Sequence, residues 1–195
     1  PHYDQAFYSG FDRSLYRNPV VSDSFEPGSI FKILVMATAL DKHVVRPDTT
    51  CDRCTERFKI DKYYIETWDG KYHPDSTMTE VIVNSDNVGM TFVADKLGIE
   101  NMYDGLTKFG IGSLSGIDLQ EEANPGLRPK EKWNIVDLVT AGFGQGIAVT
   151  PIQMVKAVSA IANGGEVYTP RVVSKIAGSG WEEEIKPKLE GRAIG

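Results

Sequence analysis

Apolar residues from 30 to 40 run without a Pro or Gly and fall on almost every side of a helical wheel. That pattern predicts a buried, central helix. Glu26-Pro27-Gly28-Ser29 leads into it and places Ser29 in its first turn. Thr77-Met78-Thr79-Glu80 reads as a capping box ahead of a short helix over 81–83, which should stop near Asn84-Ser85-Asp86-Asn87. Two further helices are expected over 88–97, capped by Gly98, and over 100–109, ended by Gly110. A stretch over 133–141 also has helical character. The clearest helix covers 151–162: Thr150 caps it, Pro151 is its first residue, Gln153 closes a capping box and Asn163-Gly164-Gly165 ends it. Alternation is scarce. Residues 47–76 read as loop with at most a short hairpin, 112–129 as loop, and 167–173 as a strand-like connection. The first 25 residues, rich in aromatics from Tyr3 onward, read as irregular, and the last fifteen as charged and featureless. Helices dominate, and few segments are suited to a sheet.

With 195 residues, the chain is expected to be one domain or a large piece of one. Its net charge is −6 and it has no basic run, which argues against nucleic acid or an anionic membrane as partner. No apolar run approaches the ~20 residues a membrane helix needs, and no signal peptide is visible. The start at Pro1 without Met is read as a cut from a larger protein. Cys51 and Cys54 are the two cysteines, too few for a disulfide framework. Zinc with His43 and His73 matches no standard finger spacing, so a local disulfide or a pair of free thiols is expected. Neither a cofactor nor a resident metal is expected.

Candidate chemistry centres on Ser29 and Lys32, which share one face of a helix. A serine hydroxyl becomes a nucleophile when a base removes its proton, and a lysine whose pKa is lowered by burial is such a base. Free N–H groups of the first turn favour an oxyanion forming beside it. A surface Ser and Lys at this spacing are common by chance. Here, however, Lys32 is the lone charge in a strongly apolar helix, where a charge needs a partner or a task. Ser85-Asp86-Asn87 lies between two helices. The plain reading is that Ser85 or Asn87 caps the following helix. The functional reading needs the Ser85 hydroxyl to relay a proton and the Asn87 amide to hold the base and a substrate carbonyl.

Ser29-Ile30-Phe31-Lys32 and Ser85-Asp86-Asn87 together resemble the S-x-x-K and S-x-N signature of penicillin-binding proteins and serine β-lactamases. The resemblance extends further. Phe25-Glu26-Pro27-Gly28-Ser29-Ile30-Phe31-Lys32 resembles an aromatic-E-P-G-S-T-F-K block, and Asn84-Ser85-Asp86-Asn87-Val88-Gly89 an S-S-N-V-G block. Phe109-Gly110-Ile111-Gly112 and Gly116-Ile117-Asp118-Leu119 resemble F-G-F-G and T-G-I-D-L. Gly144-Gln145-Gly146-Ile147-Ala148-Val149-Thr150-Pro151-Ile152-Gln153 resembles G-Q-G-I-x-V-T-P-L-Q, with Asn163-Gly164-Gly165 following. The pattern is that of class B penicillin-binding proteins, the transpeptidases of cell division and elongation. It implies an α+β transpeptidase fold, with Ser29 acylated by the D-Ala-D-Ala end of a peptidoglycan stem peptide or by a β-lactam. Lys32 would be the base, Ser85 the proton shuttle to departing D-Ala, and Asn87 the positioner of Lys32 and substrate. A glycosyltransferase of the wall machinery is the implied protein partner. The implied location is the outer face of the bacterial cytoplasmic membrane, by an anchor outside these residues. The glycine-rich block from Gly144 to Gln153 is read as mainly structural.

The family's third motif, K-T-G, has no counterpart in the 195 residues; Gly178-Ser179-Gly180 lacks the lysine. Residues 1–195 are therefore expected to be the helical part of the domain, without the first strands and the K-T-G strand. Such a piece should be nearly inactive alone, with apolar helix faces over 30–40 and 151–162 left for another element to cover. A β-lactamase is the alternative enzyme, with Glu121 or Glu122 as deacylating carboxylate, although Gln120-Glu121-Glu122-Ala123-Asn124 lacks the E-x-x-L-N surroundings and solvated surface glutamates are the default. A non-catalytic β-lactam sensor or scaffold domain is the alternative from another class.

Overall fold

The computed structural model describes residues 4–195. Residues 1–3, Tyr3 among them, lie outside that range. The N-terminal stretch is not irregular. Short 3-10 turns at Gln5–Gly10 and Arg13–Tyr16 lead to α1, Pro19–Ser22. Asp4, Asp12 and Asn18 precede these turns, and each accepts from the backbone N–H two residues on. Such local side-chain bonds produce short turns rather than long periodic elements.

Helix α2, Lys32–Asp41, continues a 3-10 turn over Gly28–Phe31, and together they realise the predicted apolar helix. Phe31, Leu34, Val35 and Ala39 are fully buried. β1, Phe58–Ile60, and β2, Tyr63–Ile65, form the expected hairpin in the long loop that follows. α3, Met78–Val83, begins at the predicted capping box: Thr77 Oγ1 accepts from Glu80 N at 3.3 Å and Glu80 Oε2 accepts from Thr77 N at 2.8 Å. α4, Asn87–Lys108, contains both helices expected over 88–109. They meet at Gly98, whose φ of 68° and ψ of 167° break the helical path without a loop. α2 lies against α4 so closely that a Cβ on Gly105 would sit 2.3 Å from Thr38 Cγ2.

α5, Ile135–Ala141, starts two residues later than expected. Asn134 takes the cap, accepting from Val136 N and Asp137 N, and Asp137 returns a bond to Asn134 N at 2.8 Å. α6, Pro151–Ala162, has the predicted bounds and both capping-box bonds. α2 is packed between α4 and α6, and α5 rests on α4.

The C-terminal part is more ordered than its composition indicates. β3, Glu166–Tyr168, pairs antiparallel with β6, Leu189–Arg192, and β4, Lys175–Gly178, pairs with β5, Trp181–Glu184. All residues of β4, β5 and β6 are exposed, so none has a buried face to impose alternation. Glu190 ties β6 to the helices. Its carboxylate accepts from the buried Lys156 ammonium of α6 at 2.7 Å and from Thr169 Oγ1 at 2.7 Å.

Candidate active site

Ser29 sits in the 3-10 turn that opens α2, and the Lys32 N–H donates to the Ser29 carbonyl. Gly28, at φ 57°, bends the chain into this turn. The turn is strapped to the distant glycine-rich block. Phe25 and Val149 exchange both backbone bonds, at 2.9 and 3.0 Å, and Gly28 N donates to Gly144 O at 2.9 Å. Glu26 Oε1 accepts from Gly146 N at 3.2 Å. A Cβ on Gly144 would lie 2.1 Å from Gly28 O, and Gly144 itself is at φ 76°. The block beginning at Gly144 therefore does more than join two helices, because it fixes the turn that presents Ser29. Gly144→Ala is expected to destabilise the chain by on the order of 2 kcal/mol or more and to slow any reaction at Ser29, measured by urea unfolding and by labelling rate.

The Asn84-Ser85-Asp86-Asn87 segment is built by two capping devices in succession. Ser85 N donates to Ile82 O at 3.1 Å and Asp86 N to Val81 O at 2.9 Å. This is a Schellman ending of α3, and it requires a left-handed residue at Ser85, whose φ is 52°. Glycine is the usual occupant; here a strained serine supplies a hydroxyl instead. The next helix is capped by neither Ser85 nor Asn87. Asp86, only 3% exposed, takes that position, and its Oδ1 accepts from Gly89 N at 3.0 Å. Gly89 lets α4 approach α3, since a Cβ there would meet Val81 Cγ2 at 2.5 Å. Ser85 and Asn87 are thereby released from capping.

Both turn to Lys32. Lys32 is 2% exposed, and its ammonium donates to Ser85 O at 2.6 Å, Ser85 Oγ at 3.0 Å and Asn87 Oδ1 at 2.8 Å. These three bonds fill its donor capacity. Asn87 Nδ2 donates in turn to Glu66 O at 2.9 Å, which fixes the amide's orientation. Burial pulls the Lys32 pKa down to about 8, and the Asp86 carboxylate works against that shift by favouring the charged form. A lysine so placed is a base available near neutral pH.

The structure thus brings Lys32, Ser85 and Asn87 into one cluster, with Ser29 one turn ahead of Lys32. Ser29 differs from the expectation of a shared buried helix: it is exposed, and none of the ammonium's bonds goes to it. Of the two carboxylates of the β-lactamase alternative, one is already engaged. Glu122 is half-buried, and its carboxylate accepts from Ser115 N at 2.6 Å and Gly116 N at 3.3 Å, so both oxygens are already engaged by the backbone. Glu121 is exposed at φ 62°, and its carbonyl accepts from Ser22 Oγ. Cys51 and Cys54 form a disulfide in the core, and among the described residues no group of His, Cys, Asp and Glu is arranged to hold a metal ion.

A family model described as the penicillin binding protein transpeptidase domain matches residues 1–194. Stage V sporulation protein D of Bacillus subtilis is 39% identical over 178 residues, covering 90% of this chain and 27% of that protein. Peptidoglycan D,D-transpeptidase FtsI of Escherichia coli is 32% identical over 177 residues, covering 90% of this chain and 29% of that protein. The crystal structure of penicillin binding protein 3 from Mycobacterium tuberculosis, complexed with aztreonam, is similar at a TM-score of 0.81 and 30% identity, over 91% of this chain and 40% of that one. The chain spans less than a third of the length of these two curated relatives. By sequence and by its α+β fold, the chain belongs to the penicillin-binding protein transpeptidase domain family.

Proposed function

We propose that residues 1–195 form part of a serine D,D-transpeptidase that cross-links peptidoglycan stem peptides and is acylated by β-lactams. The observation that carries this reading is the buried Lys32 ammonium, held by Ser85 and Asn87 one turn from an exposed Ser29. In its neutral form Lys32 takes the Ser29 Oγ proton as the oxygen attacks the carbonyl of the penultimate D-Ala. The tetrahedral adduct collapses, the C–N bond breaks, and Ser85 passes a proton to the departing D-Ala amine. Asn87 keeps Lys32 aimed and receives the substrate amide. An amine of a second stem peptide then attacks the acyl-enzyme and regenerates Ser29. The lactam carbonyl of a penicillin meets the same serine, but its opened ring stays attached. The substrate places this work at the outer face of the cytoplasmic membrane, beside a glycosyltransferase that makes the glycan strands. Among the described residues no helix is long and apolar enough to cross a membrane.

Covalent labelling with penicillin, read by intact mass and peptide mapping, tests the assignment. The expected result is one long-lived adduct on Ser29; rapid release would favour a β-lactamase. The pH dependence tests the base. The labelling rate should rise with pH along an acid limb with its midpoint near 8, because only neutral Lys32 accepts a proton. Asp86→Asn keeps an oxygen for Gly89 N but removes the charge that favours the ammonium. The limb should therefore move to lower pH. A limb that stays in place, or moves up, contradicts Lys32 as the base.

A further inference from the structure

Asn87 is held from two sides, and one of them leads away from the catalytic cluster. Its Oδ1 accepts from Lys32, while its Nδ2 donates to Glu66 O at 2.9 Å. Glu66 follows directly on β2, so the place of that carbonyl depends on where the β1–β2 hairpin sits. A two-stranded hairpin has little stability of its own and takes its position from what it rests on. Ile60 is buried in the core, but Phe58 and Ile65, paired across the two strands, are only half-buried. An open cleft of about 360 Å³ lies between Phe58 and Ile60 of the hairpin and Asp95, Ile135 and Val139 of α4 and α5, with Arg53 in its wall.

Arg53 bridges this cleft. Its Nη2 donates to Asp95 Oδ2 on α4 at 2.6 Å, and its guanidinium carbon lies 5.2 Å from the centroid of the Phe58 ring. The backbone on both sides of it is fixed, because Cys51 and Cys54 are joined in a disulfide and both are fully buried. The side chain is thus anchored at its root by the disulfide, under Phe58 by its flat guanidinium and at its tip by Asp95. The other ion pairs that residues 51–76 make among the described residues stay within that loop. Asp95 and Asn87 belong to one helix, roughly two turns apart and ahead of the break at Gly98. The hairpin therefore carries one side of the Glu66–Asn87 contact, α4 carries the other, and Arg53 ties the two together. An ion pair as open to water as this one adds little stability, so its contribution is to position.

We propose that Arg53 is a positioning residue for acylation at Ser29: by tying β1 to α4 it sets the Glu66 carbonyl against the Asn87 amide, and so keeps Asn87 Oδ1 aimed at Lys32. The proposal rests on the transpeptidase reading, in which Asn87 serves both Lys32 and the substrate. Without Arg53, Phe58 settles towards the cleft and Glu66 moves with β2. The Asn87 amide then loses its second partner and is free to turn. A turned amide presents N–H groups to the Lys32 ammonium in place of an acceptor.

The test is a double-mutant cycle with Asn87→Ala, read as the rate of penicillin labelling at Ser29. Arg53→Ala should slow labelling about tenfold or more, since a misplacement of about 1 Å is enough for such a loss. Arg53→Lys keeps a cation near Asp95 but not the flat group beside Phe58, and should recover part of the rate. In the Asn87→Ala background, Arg53→Ala should cost less than about twofold, because the amide it positions is gone. A general weakening of the fold would instead slow both backgrounds by the same factor, and thermal unfolding measures that weakening directly. The Asn87 side-chain amide gives a second readout. Its ¹⁵N–¹H signals, assigned by their loss in Asn87→Ala, should exchange faster with water in Arg53→Ala. Labelling unchanged by Arg53→Ala, equal losses in the two backgrounds, or an Asn87 amide whose exchange does not change overturns the proposal. A labelled chain with equal losses removes the Arg53 link alone, whereas an unlabelled chain removes the transpeptidase reading and this role with it.

Discussion

Ser29→Ala is expected to abolish covalent labelling by a fluorescent penicillin, and Lys32→Ala to reduce its rate by on the order of 10³-fold or more. The two losses have different causes. Without the Ser29 oxygen there is no atom to acylate. Without Lys32 the oxygen remains but keeps its proton, and the Ser85 hydroxyl and Asn87 amide lose the cation they bind. Lys32→Arg should fail almost as fully, because a guanidinium does not deprotonate and its planar fork does not fit three acceptors arranged for an ammonium. The double variant should be no worse than Ser29→Ala, since the two residues act in one step. Rates from gel fluorescence, with circular dichroism to confirm folding, decide the matter. Labelling that persists in folded Ser29→Ala would refute the nucleophile assignment. Labelling unaffected by Lys32→Ala would move the base elsewhere.

How much of this was legible in the sequence depends on how local each cause is. α6 was readable to its ends because Thr150, Pro151 and Gln153 encode its start within four positions. Ser29 and Lys32 were readable for the same reason: a spacing along one turn and a charge in an apolar run. The Ser85-Asp86-Asn87 turn was ambiguous. All three residue types cap helices well, and the choice of Asp86 depends on the left-handed backbone at Ser85, which the end of α3 imposes. Contacts made by remote segments left weaker marks. Gly144 is a glycine because Gly28 O lies against it, and Glu122 is held by Ser115 and Gly116 after an intervening loop. The segment around Glu66 carries no motif, yet the Glu66 carbonyl fixes the Asn87 amide. Strands β4 to β6 escaped notice because exposure on both faces removes the alternation by which strands are recognised.

The 195-residue chain alone is expected to be acylated roughly 100- to 1000-fold more slowly than the same chain joined to a strand bearing Lys-Thr-Gly. Activation of Ser29 and stabilisation of what it forms are separate tasks, and the residues present serve mainly the first. Lys32 and Ser85 can move protons, and Asn87 can hold Lys32 in place. The family resemblance assigns an oxyanion donor and the contacts to the substrate carboxylate to the third motif, a triplet this sequence does not contain. Removing one oxyanion donor typically slows acyl transfer by that factor. Exposed apolar side chains on the first turn, α2 and α6 give an independent reason. Ile30 is 54% exposed and Ile33 36%, while on α6, which packs against α2, Val155 is 62% exposed and Val158 36%. Apolar side chains of that number on two adjoining helices suit burial under another element better than contact with water. The chain alone should therefore self-associate as its concentration rises, and Ile33→Lys with Val155→Lys should suppress that association without restoring the acylation rate. Sedimentation velocity and a stopped-flow acylation assay on both forms separate the two effects. A monomer that reacts as fast as the strand-bearing form would show that Ser29 already has its oxyanion donors, from the 3-10 turn that begins at Gly28.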